Sequence, residues 1–192
     1  MNKKKENFGV KFYIIIGIIT LFVIILIAFA FSKFNKNQNK MIEENSGYGK
    51  VSMTYSSNYN GLKLNNENPL NDSDGMILAG KDKYFDFTIS TKIVGNRKVD
   101  YKISLVKDAS STLADKDVKV YLQKQKNGTY ETVVKPITFD SKKSSYNMVI
   151  YNSSKIKSSN DKYRLRIWVS NTSTDYLGKY FGLSVKISGK ES

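Results

Sequence analysis

Arg164, Arg166 and Trp168 stand at every second position of one short segment, with Leu165 and Ile167 between them. In an extended chain that spacing puts two guanidinium groups and one indole on the same face. Such a face could hold an anionic polymer, a sugar ring or another protein chain, through charge, cation–π contact and stacking. The plainer use of the same residues is packing among long side chains on neighbouring strands. A second pointed cluster is Asn71-Asp72-Ser73-Asp74-Gly75. Asp72 and Asp74 are weak candidate calcium ligands there, and Asn65, Asn66 and Glu67 could add oxygens. The cluster lacks the full ligand series and the closing glutamate of a calcium loop. The expectation is therefore an Asx-rich turn.

Composition narrows the remaining chemistry. The 192 residues include no His and no Cys. That excludes Ser-His-Asp and cysteine nucleophile arrangements, and zinc or copper sites of the usual His/Cys kind. No P-loop or dinucleotide fingerprint is present. The acids are few and lie mostly beside turns or lysines, so a paired-carboxylate hydrolase has little support. No cofactor is expected, and the chain reads as non-catalytic. Lys and Arg number 31 against 17 Asp and Glu, for a net charge of +14. The lysines are scattered, which argues against nucleic acid as a partner. An anionic cell-wall polymer or another envelope protein fits that charge better. Only three arginines occur, while Lys, Asn, Ile and Tyr are common. That bias, with the absence of cysteine, fits an exported domain of a Gram-positive bacterium.

The elements that must position these residues have a period of two. Phe85, Phe87 and Ile89 alternate with polar neighbours, as do Val99, Tyr101, Ile103 and Leu105. Val118, Val120 and Leu122 repeat the pattern, and so do Tyr163, Leu165, Ile167 and Val169. Phe181, Leu183, Val185 and Ile187 close the series. Alternation of this kind buries one face of a strand. The expected strands are Lys50–Tyr55, Gly61–Leu64, Tyr84–Ile93, Val99–Val106, Val118–Gln123, Tyr130–Val134, Ser145–Tyr151, Lys162–Val169 and Lys179–Ile187. Asn127-Gly128 marks a hairpin, and Ala109–Ala114 is a candidate helical turn. Short strands separated by turn signals point to an all-β, antiparallel β-sandwich, jelly-roll or Ig-like, of 8–9 strands. A closed barrel is the competing architecture.

Phe12 to Phe31 form twenty positions without a charge. That is long enough to cross the roughly 30 Å hydrocarbon core as a helix. Lys3, Lys4, Lys5 and Lys11 precede it, as expected of a cytoplasmic flank. The expected organisation is a cytoplasmic basic tail over 1–11, a transmembrane helix or signal-anchor over 12–32, a linker over 33–48, and an extracellular β-sandwich over 49–189. The lipid bilayer is then a partner through residues 12–32, and the location is the cell membrane, single-pass. Ala28-Phe29-Ala30 is also a small-x-small cleavage motif, so release after Ala30 is the alternative, giving a secreted or wall protein.

Gly61-Leu62-Lys63-Leu64, Asn68-Pro69-Leu70 with the Asx cluster, Tyr84–Ile89, Val99–Ile103, Leu113–Leu122 and Lys162–Val169 follow one another in a familiar order. In that order and spacing the chain is similar to a group of Firmicutes membrane-anchored surface proteins with one cysteine-free β-sandwich ectodomain. More distantly it resembles the TasA and camelysin group of exported biofilm-matrix proteins. That resemblance implies a jelly-roll-like sandwich, and a subunit that can polymerise by donating a strand to its neighbour. Camelysin's reputed metalloprotease activity is not carried over, because this chain has no histidine. The functional expectation is a membrane-anchored extracellular sandwich with a structural, adhesive or cell-envelope role. A secreted matrix-like subunit, or an accessory or sensory ectodomain of a membrane complex, is the alternative.

Overall fold

The structure, a computed structural model, describes residues 40–46, 49–57, 59–80, 82–140 and 147–191. Lys40 to Ser192 form one compact unit. Ten strands occur in it. β1 is Lys40–Ser46, β2 Gly49–Tyr55, β3 Gly61–Asn65, β4 Phe85–Ile93 and β5 Val99–Lys107. β6 is Val118–Lys126, β7 Thr129–Thr138, β8 Asn147–Lys155, β9 Ser159–Val169 and β10 Tyr180–Glu191. Among the described residues one helix, named α1, spans Asp72–Ile77. The strands form a six-stranded sheet, β1-β2-β4-β9-β6-β7, and a four-stranded sheet, β3-β10-β5-β8. All strand pairings are antiparallel.

The antiparallel β-sandwich expected from the period-two pattern is what these sheets make. Phe85, Phe87 and Ile89 of β4 and Leu165, Ile167 and Val169 of β9 bury their side chains from one sheet. Val99, Ile103 and Leu105 of β5 and Leu183, Val185 and Ile187 of β10 bury theirs from the other. These alternate residues join in one hydrophobic core. Phe85, Phe87 and Tyr163 stack in a run across β4 and β9, with centroids 5.4 and 5.5 Å apart. The β6–β7 hairpin turns at Asn127 and Gly128, both with positive φ. Those are the dihedrals that make Asn-Gly the preferred two-residue hairpin turn.

Several boundaries differ from the sequence expectation. β1 occupies residues read as linker, and it pairs with β2 from Lys40↔Tyr55 to Ser46↔Gly49. The helical turn expected at Ala109–Ala114 appears instead as a 3-10 turn at Asp115–Asp117. Asn71–Gly75 opens α1 rather than ending in a simple turn.

The membrane reading is corrected. The expected transmembrane helix over 12–32 lies outside the described residues. No helix among the described residues is long and apolar enough to cross a membrane. At 1.5 Å per residue the six residues of α1 span only about 9 Å, against a hydrocarbon core of about 30 Å. The fold that the described residues show is the β-sandwich. With no such helix among the described residues, single-pass membrane anchoring, the bilayer as a partner and a cell-membrane location are withdrawn.

Leu165 lies at the centre of the core, on a strand flanked on both sides. Leu165→Ala should lower the unfolding free energy by about 3 kcal/mol, through lost burial and a residual cavity. Urea unfolding followed by circular dichroism measures it. A loss below about 1 kcal/mol would be inconsistent with this packing.

Candidate functional site

Arg164, Arg166 and Trp168 do share the outward face of β9, as their spacing requires. That face is covered. The connection from β3 to β4, residues 66–84, crosses it as a strap. Leu70 bridges Ser170 in parallel, and its N–H donates to the Val169 carbonyl at 2.9 Å. α1 follows, with Asn71 as its N-cap. The Asn71 side chain accepts from the Asp74 N–H at 2.9 Å, which satisfies one of the free donors of the first turn.

Trp168 is 1 % exposed. A Cβ placed on Gly75 would lie 2.2 Å from two atoms of the indole. Glycine is required there by close approach, since a methyl group cannot fit between α1 and the ring. Arg166, 7 % exposed, donates from Nε to the Leu78 carbonyl at 2.8 Å and from a terminal nitrogen to Gln123 Oε1. It thereby secures the residue just after α1. Burial holds its guanidinium below the ordinary arginine value, with the nearby Arg164 charge acting in the same direction.

Arg164 forms a bidentate pair with Asp86, both contacts at 2.7 Å. Its guanidinium also lies over the Tyr84 and Tyr130 rings, 4.0 and 4.3 Å from their centroids. The hydrogen bonds it donates to Asp86 raise its pKa, against the effect of burial. The three residues therefore pack across strands and hold the strap. The free indole and guanidinium platform of the sequence reading is occupied by this protein's own segments.

Asp72 and Asp74 sit in the first turn of α1, where negative charge suits the exposed N–H groups. The Asp74 carboxylate accepts from Asn71 Nδ2 at 2.9 Å. Among the described residues no group of three or more acidic, His or Cys side chains is arranged to hold a metal ion.

A second polar cluster had no signal in the sequence beyond ordinary strand residues. Asp161 on β9 accepts from Lys155 of β8 at 2.6 Å and from Lys124 of β6 at 3.0 Å. Tyr101 of β5 donates to it at 3.1 Å and lies 2.5 Å from the Tyr163 hydroxyl. Burial alone would raise the Asp161 carboxyl. The two lysines overcome this and hold it below the usual carboxylate range. Burial pushes both tyrosine hydroxyls up, so they stay protonated. Burial also lowers Lys124, although Asp161 pulls the other way. The cluster ties β8 in one sheet to β6 and β9 in the other. Its groups are a paired carboxylate, ammonium groups and protonated phenols, which suits cross-linking the sheets better than proton transfer.

No protein-family model matches the chain, and no curated protein matches it.

Gly75→Ala should push α1 off the indole. The expected result is a red-shifted emission from Trp168, the sole tryptophan, and a stability loss of about 1–3 kcal/mol. Unchanged emission would contradict the close approach. For Asp161 the sign follows from a folded-state pKa below the unfolded one. Its contribution is present above the unfolded value of about 4 and disappears as pH falls through the folded value. Asp161→Asn should therefore lower Tm clearly at pH 7 and much less at about pH 2.5, as read by thermal melts at both. Equal losses at the two pH values would assign the effect to packing instead.

Proposed function

We propose that this chain is a non-catalytic β-sandwich subunit of a secreted extracellular matrix, released after Ala30, of the kind the TasA and camelysin group represents. The observation that carries the reading is the use made of the chemically capable side chains. Arg164, Arg166, Trp168 and Asp161 are all engaged in holding strands, strap and sheets together. What the surface offers instead is material for contact. Ile77, Val149, Ile156 and Leu177 are large apolar residues left exposed, spread over α1, β8 and two turns. A subunit that acts by being present and by touching neighbours needs a stable sandwich and such contacts, and it needs no reactive constellation. Of the net charge of +14, +11 lies after Ala30 and keeps such a subunit soluble before assembly.

The test is to recover the protein from culture of its native host. Its mature N-terminus would be sequenced and its mass in solution measured by light scattering. A chain beginning at Phe31 in the medium, sedimenting as oligomers, is the expected result. A released chain that remains strictly monomeric at high concentration, or one that still carries Met1, would overturn the reading.

A further inference from the structure

Four strands form the edges of the two sheets: β1, β7, β3 and β8. Natural edges are blunted by charge, proline or bulges. β1 carries Lys40, Glu43 and Glu44, and β7 carries Pro136 together with two breaks in its register with β6. β8 breaks register with β5 at Ile103/Ser104, which leaves Ile150 without a Cα partner. β3 has no proline, no register break and a single charge, Lys63.

The direction of its free backbone groups follows from its pairing. Asn66 N–H donates to the Lys179 carbonyl at 3.1 Å, and Val185 N–H donates to the Asn60 carbonyl at 2.7 Å. In an antiparallel ladder the residues two apart share that direction. Leu62 and Leu64 thus turn their backbone groups toward β10, and Lys63 and Asn65 turn theirs away. Among the described residues no backbone group meets Lys63 or Asn65 on that side.

An open groove of about 350 Å³ lies along this edge, walled by Ser57, Tyr59, Asp82 and Tyr84. Leu62, Lys63 and Asp82 also line a second, smaller cavity of about 20 Å³, which Trp168 borders. Trp168 Nε1 is buried and has no hydrogen-bond partner among the described residues. A buried donor that has lost its hydration without gaining an acceptor is destabilising, so a group that accepts from it is favoured. Among the described residues the charged side chains lining the groove and the cavity balance. Lys63 and Lys83 face Glu67 and Asp82, with Lys83 and Glu67 paired at 2.7 Å. On a chain of net charge +14 this is a neutral place, which matches an uncharged occupant and disfavours a polyanion.

We propose that this groove is a binding site for an uncharged, extended peptide segment, which adds as a strand to the free edge of β3 and places a small acceptor-bearing group beside Trp168. The main-chain groups of Lys63 and Asn65 supply the hydrogen bonds, as in other cases of strand addition. Tyr59 and Tyr84 form the walls. The Tyr59 hydroxyl is pushed up to about 12 by burial and by Asp108 and Tyr180, so it remains a donor at neutral pH. β3 is only five residues long, which limits recognition to a short segment. The site does not depend on the matrix reading and would serve an adhesive or sensory domain equally.

The test uses the full chain, isotope-labelled, titrated with pooled blocked pentapeptides of alternating small and β-branched uncharged residues. Binding should move the Trp168 indole N–H resonance and slow amide exchange at Lys63 and Asn65 by about tenfold or more. Lys63→Pro removes an outward N–H while leaving the β10 ladder intact, a position where an edge strand tolerates proline. It should weaken binding by about tenfold or more with the circular dichroism spectrum retained. If that variant fails to fold, Tyr59→Ala removes a groove wall and should give the same loss. A neutral β-glucan oligosaccharide is titrated in parallel. No response of the indole or of the two amides to millimolar peptide would overturn the proposal. So would oligosaccharide binding that survives Lys63→Pro while peptide does not bind.

Discussion

β9 has to be buried on both faces, and much of the rest of the structure depends on that. It lies inside the larger sheet, between β4 and β6. Its inner face, Tyr163 to Val169 at alternate positions, belongs to the core. Its outer face carries a tryptophan and two arginines, which are costly to leave half-covered and costly to bury without partners. The strap resolves this. Gly75 lies flat against Trp168, the Leu78 carbonyl accepts from Arg166, and Asp86 neutralises Arg164.

The charge of the protein looks different once its pairs are placed. A net +14 suggests a surface that seeks anions. The basic groups at the structural centre are already satisfied. Lys124 and Lys155 converge on Asp161, Lys107 meets Asp115 at 2.6 Å, and Arg164 meets Asp86. The half-buried pairs contribute by joining elements distant in sequence, with desolvation offsetting much of their attraction. The exposed lysines act mainly on solubility and on the approach of charged partners. Local neutrality at the β3 edge is therefore a feature of that edge and not of the surface as a whole.

The edges of the sandwich are unequal in the same way. Three are blunted by charge, proline or irregular register, while β3 is protected mainly by being short. Short edges suppress the pairing of whole sheets and still leave enough backbone for a brief segment. The exposed apolar side chains of α1 and β8 and the open edge of β3 thus lie on separate elements of the same domain.

The strand pattern was legible because it is local. A period of two decides which residues share a face, whatever the rest of the chain does. Phe85, Phe87 and Ile89, or Leu183, Val185 and Ile187, could be assigned to a core from their spacing, and Asn127-Gly128 to a hairpin from its dihedral needs. The same rule put Arg164, Arg166 and Trp168 together on the outward face. It carried no information about what lies over that face. Gly75 read as part of an Asx turn because its role comes from a tryptophan far along the chain, and a close approach has no local signature. Asp161, just before the expected strand Lys162–Val169, carried no signal of its own, since its two lysines arrive from β6 and β8. Alternation by itself determined the all-β class and the parity of its side chains, and the two separate sheets decided for the sandwich over a closed barrel. Only the tertiary structure decided which polar groups are spent on packing and which edge remains open, because both depend on contacts between segments that the sequence separates.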